Sequence, residues 1–287
     1  DSMALTFLLQ NWVKKNNGSL VALIVNHKLR SESGIEADIV KTFLQKKKIQ
    51  TKILTVVNKK ILKKNMQEAR NNRFHELTKF CKEKYILHLF LAHHFDDQIE
   101  TFLLRKISGS NFEGLRSLQI KVFNPYVQIL RPLLNYNKRD ILNYIKKKNI
   151  FYVKDPSNLN KKYSRTAIRD FLILHKNYRK DIEKDLNKIT KYYPVYKKMI
   201  YQILNSILIK VNSKKLYIDF DIFSNLQQEI QIKIIEIIYK FLKPQKLFLR
   251  YDKTLKILNL LTNQEKIIAN LGGMNIKKTL NFIHFNA

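Results

Sequence analysis

An α/β fold is predicted, a parallel sheet with helices on both faces followed by a smaller, mostly helical domain. Three observations predict it. Short continuous apolar runs alternate with amphipathic stretches of helical period. The residues able to do chemistry fall directly after those runs, where open parallel sheets hold their ligands. Near residue 175 the alternation stops and strand signals nearly vanish.

The elements follow in order. Met3, Leu5, Phe7, Leu8, Leu9 and Trp12 carry a helical pattern over residues 3–15, which Asn16-Asn17-Gly18-Ser19 stops. Leu20–Val25 is a continuous apolar run, the pattern of a strand buried on both faces. Ser33, with Glu36 three residues on, is the signature of a capping box. Lys52–Val57 reads as a strand, Gln67–Lys82 as a helix and Leu87–Ala92 as a buried strand. A helix then runs to about Ile107, where Ser108-Gly109-Ser110 breaks it. Arg131-Pro132-Leu133-Leu134 fixes an extended entry to a helix around Lys138–Lys147, and Asp155-Pro156-Ser157-Asn158 is a turn signal. Beyond it Arg165 and Arg169 share a helical face. Helices dominate from 176 onward, including Tyr192–Val211 and Leu226–Phe241, with one hairpin expected in Ile276–Phe285 after Gly272-Gly273. The domains expected are 1–175 and 176–287.

Composition narrows the function. The chain has 287 residues, and Lys+Arg exceed Asp+Glu by 54 to 23, a formal charge of +31. AT-rich coding contributes to such a Lys-, Asn- and Ile-rich composition, yet a charge this large makes a polyanion the expected partner. The lone Cys81 excludes an internal disulfide and a cysteine-ligated cluster, and suits a reducing compartment. No apolar run approaches the ~20 residues that cross a bilayer, so no membrane association is expected.

The densest chemistry lies in Ala92-His93-His94-Phe95-Asp96-Asp97-Gln98-Ile99-Glu100-Thr101. On a helical wheel Phe95, Ile99, Phe102 and Leu103 form the apolar stripe. His93, His94, Asp97, Glu100 and Thr101 point the other way, toward the strand-end cleft. Carboxylates there suit Mg²⁺ or an ammonium ion, and histidines suit phosphate contact or proton transfer. A His-Asp metal phosphohydrolase would use the same residue types. Asp1-Ser2, before the first helix, offers a hydroxyl and free N–H groups to phosphate. Asn26-His27-Lys28-Leu29-Arg30 follows a strand and suits nucleotide contact; Arg70 and Arg73, one turn apart, suit an anion. The Lys/Tyr mixture in 176–216 suits tRNA backbone and base stacking. Each reading competes with a plain cap, turn or solvated face.

Taken together these segments resemble the tRNA(Ile)-lysidine synthetase family of N-type PP-loop ATPases. Asp1-Ser2 matches the end of its Ser-Gly-Gly-x-Asp-Ser motif. Val25-Asn26-His27-Lys28-Leu29-Arg30 with Glu32-Ser33 is similar to its Val-Asp-His-x-Leu-Arg and Glu-Ser, with Asn26 in place of Asp. Ala69-Arg70…Arg73-Phe74 and Ala92–Thr101 resemble its Ala-Arg-x-x-Arg-Tyr and His-His-x-x-Asp-Gln-x-Glu-Thr. Gly109-Ser110, Gly114-Leu115, Arg131–Leu134, Asp155–Asn158 and Tyr163…Arg165…Arg169 continue in the family's order, with Thr166 where Asn is usual.

The resemblance implies an N-type ATP pyrophosphatase catalytic domain and a basic tRNA-binding domain. It implies a carbon–nitrogen ligase that joins free lysine to carbon 2 of the wobble cytidine of tRNA(Ile) with a CAU anticodon, using ATP and Mg²⁺. Under it Asp1, His93, Asp97 and Glu100 are catalytic. Asp1, Ser2, His27, Arg30 and His94 bind ATP, with Asp1 and Asp97 as Mg²⁺ ligands. Arg70, Arg73, Arg131, Asp155, Asn158, Arg165 and Arg169 hold the substrate tRNA. It also implies Ser-Gly-Gly-x before Asp1 in the complete gene product, with an impaired ATP site without it. The setting expected is a bacterial cytoplasm, the alternative being a plastid stroma or other organelle matrix, and a second copy of the chain is among the candidate partners. The rivals are a tRNA thiolase of the same superfamily and a non-catalytic basic RNA-binding protein.

Overall fold

The computed structural model describes residues 1–28, 32–56, 66–124, 126–153, 164–212, 214–244 and 249–287. It divides into two compact units, Asp1–Thr190 and Lys191–Ala287.

In the first unit the elements run in order: α1 (Ser2–Lys15), β1 (Val21–Asn26), α2 (Ser33–Lys46), β2 (Gln50–Thr55), α3 (Met66–Glu83), β3 (His88–Phe90), α4 (Phe95–Ile107), α5 (Phe112–Leu115), β4 (Lys121–Phe123), β5 (Gln128–Leu130), α6 (Lys138–Lys147) and α7 (Ser164–Leu174). β1 pairs with β2 in parallel, and β3 pairs in parallel with β5, to which β4 adds antiparallel. Alternating side chains of β1 and β3 serve the same two layers, as the period of two in a strand requires. Ala22 and Phe90 pack with Met3, Ala4 and Leu5 of α1, Leu44 of α2, and Ile141 and Ile145 of α6. Leu23, Val25, Leu89 and Leu91 pack with Leu77 and Cys81 of α3. Helices therefore cover both faces, as predicted. A third cluster joins Ile99, Phe102 and Leu103 of α4 to Ile168 and Leu172 of α7. That stripe is the one the helical wheel identifies.

Three local expectations are corrected. β1 is only half-buried along most of its length rather than enclosed on both faces, because its hydrogen-bonded neighbour among the described residues is β2 alone. The N-cap of α2 is Glu32 rather than Ser33, and the Ser33 hydroxyl donates to Asn26 Oδ1 at 2.9 Å. Asn26 Oδ1 also accepts the Lys28 backbone N–H at 2.9 Å, so a side-chain amide stabilises the strand exit where Lys28 turns to a φ of 51°.

The third correction concerns the second unit. Helix α8 (Lys176–Ile207) ends before Leu208, and the residues after it form β6 (Leu208–Val211), β7 (Lys215–Asp219), α9 (Phe220–Ser224), α10 (Gln228–Leu242), α11 (Tyr251–Asn263), β8 (Ile267–Leu271), β9 (Met274–Lys278) and β10 (Phe282–Asn286). They make a five-stranded antiparallel sheet, ordered β6-β7-β10-β9-β8, where one hairpin was expected. Its strands are four or five residues long; β9 sets buried Met274 and Ile276 between exposed Asn275 and Lys277, and β6 buries none of its residues, so their signal is weak in a lysine-rich chain. The sheet buries Leu216, Ile218, Met274, Ile276, Ile283 and Phe285 against Ile234, Ile235 and Ile238 of α10 and Leu258 and Leu261 of α11. Gly272 and Gly273, both at positive φ, make the two-residue turn between β8 and β9. Lys278 is buried, and its Nζ donates to the carbonyls of Leu261 (2.6 Å) and Gln264 (2.7 Å), satisfying the open end of α11. Among the described residues no helix is long and apolar enough to cross a membrane.

Candidate active site

Three helices of the first unit begin at one place. Asp1 is the N-cap of α1, His94 the N-cap of α4, and Lys138 the first residue of α6. Side chains tie the three starts together. Lys138 Nζ donates to Asp1 Oδ1 at 2.6 Å, and His94 Nε2 lies 3.6 Å from Asp1 Oδ2 and 3.5 Å from Asp97 Oδ2. Asp97 Oδ2 accepts the His94 backbone N–H at 3.0 Å, closing the first turn of α4. Asp96 Oδ2 accepts the Lys138 backbone N–H at 2.7 Å, so α4 caps α6 across the fold, while Asp96 Oδ1 pairs with Arg179 at 2.8 Å. Those bonds to Lys138 and Arg179 pull the Asp96 carboxyl below its usual range against the opposing effect of burial.

His94 is 5% exposed, and its Nδ1 has no hydrogen-bond partner; Asp96 Oδ2 is 3.7 Å away. Burial lowers its pKa and outweighs the neighbouring Asp97 and Asp96 carboxylates, with Lys138 acting in the same direction as burial. The buried imidazole thus lies 3.5 to 3.7 Å from three carboxylates, close to each and without a short hydrogen bond to any of them.

A second group of side chains is strongly cationic. Arg131 is buried; its Nε donates to His93 Nδ1 at 3.1 Å and its Nη1 to the Gln119 carbonyl at 2.7 Å. Arg70 is held below its usual pKa by burial and then by Arg165, Arg131 and Arg73. Burial lowers Arg73 as well, and it lowers His27, which also feels Arg73. Guanidiniums stay charged, so such crowding makes a site for an anion. Burial, followed by Arg131, Arg70, Arg73 and Arg165, pushes His93 down to about 3. His93 is thus a neutral ring whose Nδ1 accepts from Arg131, which leaves the proton on Nε2. NMR across pH 8 to 5 is expected to show no titration of His93 and a protonated Nε2. A midpoint near 6.5 would contradict it. A histidine lowered in this way stabilises the fold above its unfolded pKa of about 6.5, and that contribution is lost as pH falls toward 3.

Glu100 is enclosed and answered by α7: Arg169 Nε and Nη2 reach its two oxygens at 2.8 and 3.2 Å. Arg165 Nη2 donates to Thr101 Oγ1 at 3.3 Å.

The structure therefore brings Asp1, His94 and Asp97 into one contact group, and His93, Arg70, Arg73, Arg131 and Arg165 into a second. Arg70 feels the charge of Asp97, and His27 adjoins the second group through Arg73. Ser2 is exposed on the first turn of α1. Arg30, Asp155 and Asn158 lie outside the described residues. Sequence reasoning passed over Lys138 and Arg179, which belong to no motif used above; the one available signal was a cation opening the helix after Arg131–Leu134. A cavity of about 270 Å³ adjoins the contact group at Asp96 and is lined also by Asn137, Arg139, Asp140 and Arg179. Among the described residues no three His, Cys, Asp or Glu side chains are grouped to hold a metal by themselves. In the second unit Tyr192 and Tyr201 are exposed, with Lys191 Nζ and Lys197 Nζ each 5.8 Å from the neighbouring ring centre, whereas Tyr193 is buried.

Known proteins resemble this chain in sequence and in fold. The PP-loop domain family matches residues 1–176. A tRNA(Ile)-lysidine synthase of Orientia tsutsugamushi is 42% identical over 172 residues, 60% of this chain and 39% of that protein. One from Rickettsia bellii (strain OSU 85-389) is 31% identical over 287 residues, 98% of this chain and 66% of that protein. The chain thus spans from about two fifths to about two thirds of the length of these curated relatives. Among solved structures, the U34-tRNA thiolase NcsA from Methanococcus maripaludis superposes with a TM-score of 0.55 at 19% identity, covering 66% of this chain and 68% of that one, a likeness of fold.

Proposed function

The chain belongs to the PP-loop domain family, and from that premise we propose that it takes part in the ATP-dependent ligation of lysine to carbon 2 of the wobble cytidine of tRNA(Ile) bearing a CAU anticodon. The observation that carries this reading is the meeting of three helix starts at Asp1, His94 and Lys138 beside the arginines around His93. Similarity to a tRNA(Ile)-lysidine synthase along 98% of the chain supports this choice of reaction.

The chemistry needs what these residues offer. The carbonyl oxygen at carbon 2 is a poor leaving group, so it is first adenylated by ATP, releasing pyrophosphate. The lysine ε-amine then attacks carbon 2, and AMP departs. The helix starts face the nucleotide's phosphates, where fixed positive ends absorb charge without reorganising. His93 offers a permanent Nε2–H donor. Arg70, Arg73, Arg131 and Arg165 hold phosphate or the extruded cytidine, and Asp97 suits the ammonium of lysine. Glu100, committed to Arg169, acts by positioning α4 against α7 rather than by touching substrate. Mg²⁺ is a hard ion that takes one or two carboxylates and completes its shell with phosphate oxygens and water. Asp1 and Asp97 fit that donor set and would hold it, and the ion would neutralise the departing pyrophosphate. The exposed Lys/Tyr pairs of the second unit suit tRNA backbone and bases. Bacterial relatives favour a bacterial cytoplasm over a plastid.

The thiolase alternative would need reactive sulfur, and Cys81 is buried in α3 with its thiol pushed up by that burial. Incubation of the complete protein with radiolabelled lysine, ATP and a tRNA(Ile) transcript is expected to leave lysine on the wobble base. Labelled tRNA that survives nuclease digestion without a lysine-bearing nucleoside would refute the ligase reading.

A further inference from the structure

Resting on that nucleotide-site reading, we propose that Lys138 is a phosphate-contacting residue, and that its bond to Asp1 is a resting position from which it turns to the phosphates of the bound nucleotide.

The stem of Lys138 is fixed. Its backbone N–H is held by Asp96 Oδ2 at 2.7 Å in the first turn of α6, so the four-carbon side chain alone is free to swing. The Lys138 side chain is 43% exposed, open to an arriving ligand. An ammonium carries three donors, and the 2.6 Å bond to Asp1 uses one. The surroundings explain why a cation is required at this point. Asp1, Asp96 and Asp97 all crowd His94 within 3.7 Å, and a polyphosphate entering among bare carboxylates would be repelled. Lys138 cancels Asp1 while no ligand is present. Were Asp1 to hold a divalent cation, the ammonium would be free to turn, and the phosphates accompanying that cation would be the anions within its reach. One residue thereby serves two states, neutralising the carboxylate in the first and a phosphate oxygen in the second.

Inorganic pyrophosphate with Mg²⁺ is the probe, and its affinity for the complete protein is measured by titration calorimetry. Lys138→Met is expected to weaken binding about 10-fold, the loss of one charge-assisted hydrogen bond. Lys138→Arg should retain most of the affinity. The same loss must appear when Lys138→Met is made on an Asp1→Asn background, because the contact proposed is to phosphate. Circular dichroism checks that each variant is folded. Lys138→Gln is carried in parallel, so that an unfolded Met variant leaves the Gln–Arg comparison to decide. Wild-type affinity in Lys138→Met, or in Lys138→Gln where the Met variant is unfolded, overturns the proposal. A loss that vanishes on the Asp1→Asn background overturns it too, making Lys138 merely a brace for Asp1. Failure of the lysine-incorporation assay in the parent protein sinks the ligase reading but not this one, since pyrophosphate binding is read separately.

Discussion

Asn in place of Asp97 is expected to abolish lysine incorporation, with a loss of roughly 100-fold or more, the scale seen when one preorganised charge or donor is removed from a site. The substitution is well suited to the question because the fold should survive it. Asp97 Oδ2 caps α4 by accepting the His94 N–H at 3.0 Å, and the amide oxygen of asparagine can accept the same bond. What disappears is the negative charge 3.5 Å from His94 Nε2 and within reach of Arg70 and Lys138. Binding of tRNA, measured by filter retention, should be unchanged. A variant that loses tRNA binding, or one that still incorporates lysine at the parent rate, would contradict the role given to Asp97.

The second large effect concerns stability. Arg169→Ala leaves the Glu100 carboxylate, 2% exposed, without its bidentate partner. Stranding a buried charge costs several kcal/mol. Arg169 itself is 44% exposed, so water screens part of that interaction. Discounting for this, about 2 kcal/mol is expected in urea unfolding. Adding Glu100→Gln should recover part of the loss, since the double variant buries an amide rather than an ion. An unchanged unfolding midpoint in Arg169→Ala would show that α7 does not depend on this pair.

The first unit was largely legible because its signals are local. The apolar stripe Phe95, Ile99, Phe102 and Leu103 reads directly from 3.6-residue periodicity and becomes the α4–α7 cluster. The apolar runs that become β1 and β3 likewise supply two separate layers. The second unit hid its sheet because no strand contributes more than two buried apolar residues, and the pairing that stabilises them is made across the chain. At the candidate site the residue types were legible and their pairings were not. Glu100 looks like a cleft acid on a wheel, yet Arg169, 69 residues away, claims both its oxygens. Lys138 meets Asp1 across 137 residues, a separation that no short motif expresses.

The meeting of α1, α4 and α6 at their starts also bears on how a reaction cycle would finish. Each helix start acts as roughly half a positive charge, so retention in the group should rise with the number of negative charges on what is held. Pyrophosphate would linger and AMP would drift away readily. Release from the group would then be slower for pyrophosphate than for AMP, and the surrounding carboxylates would hasten the departure of both.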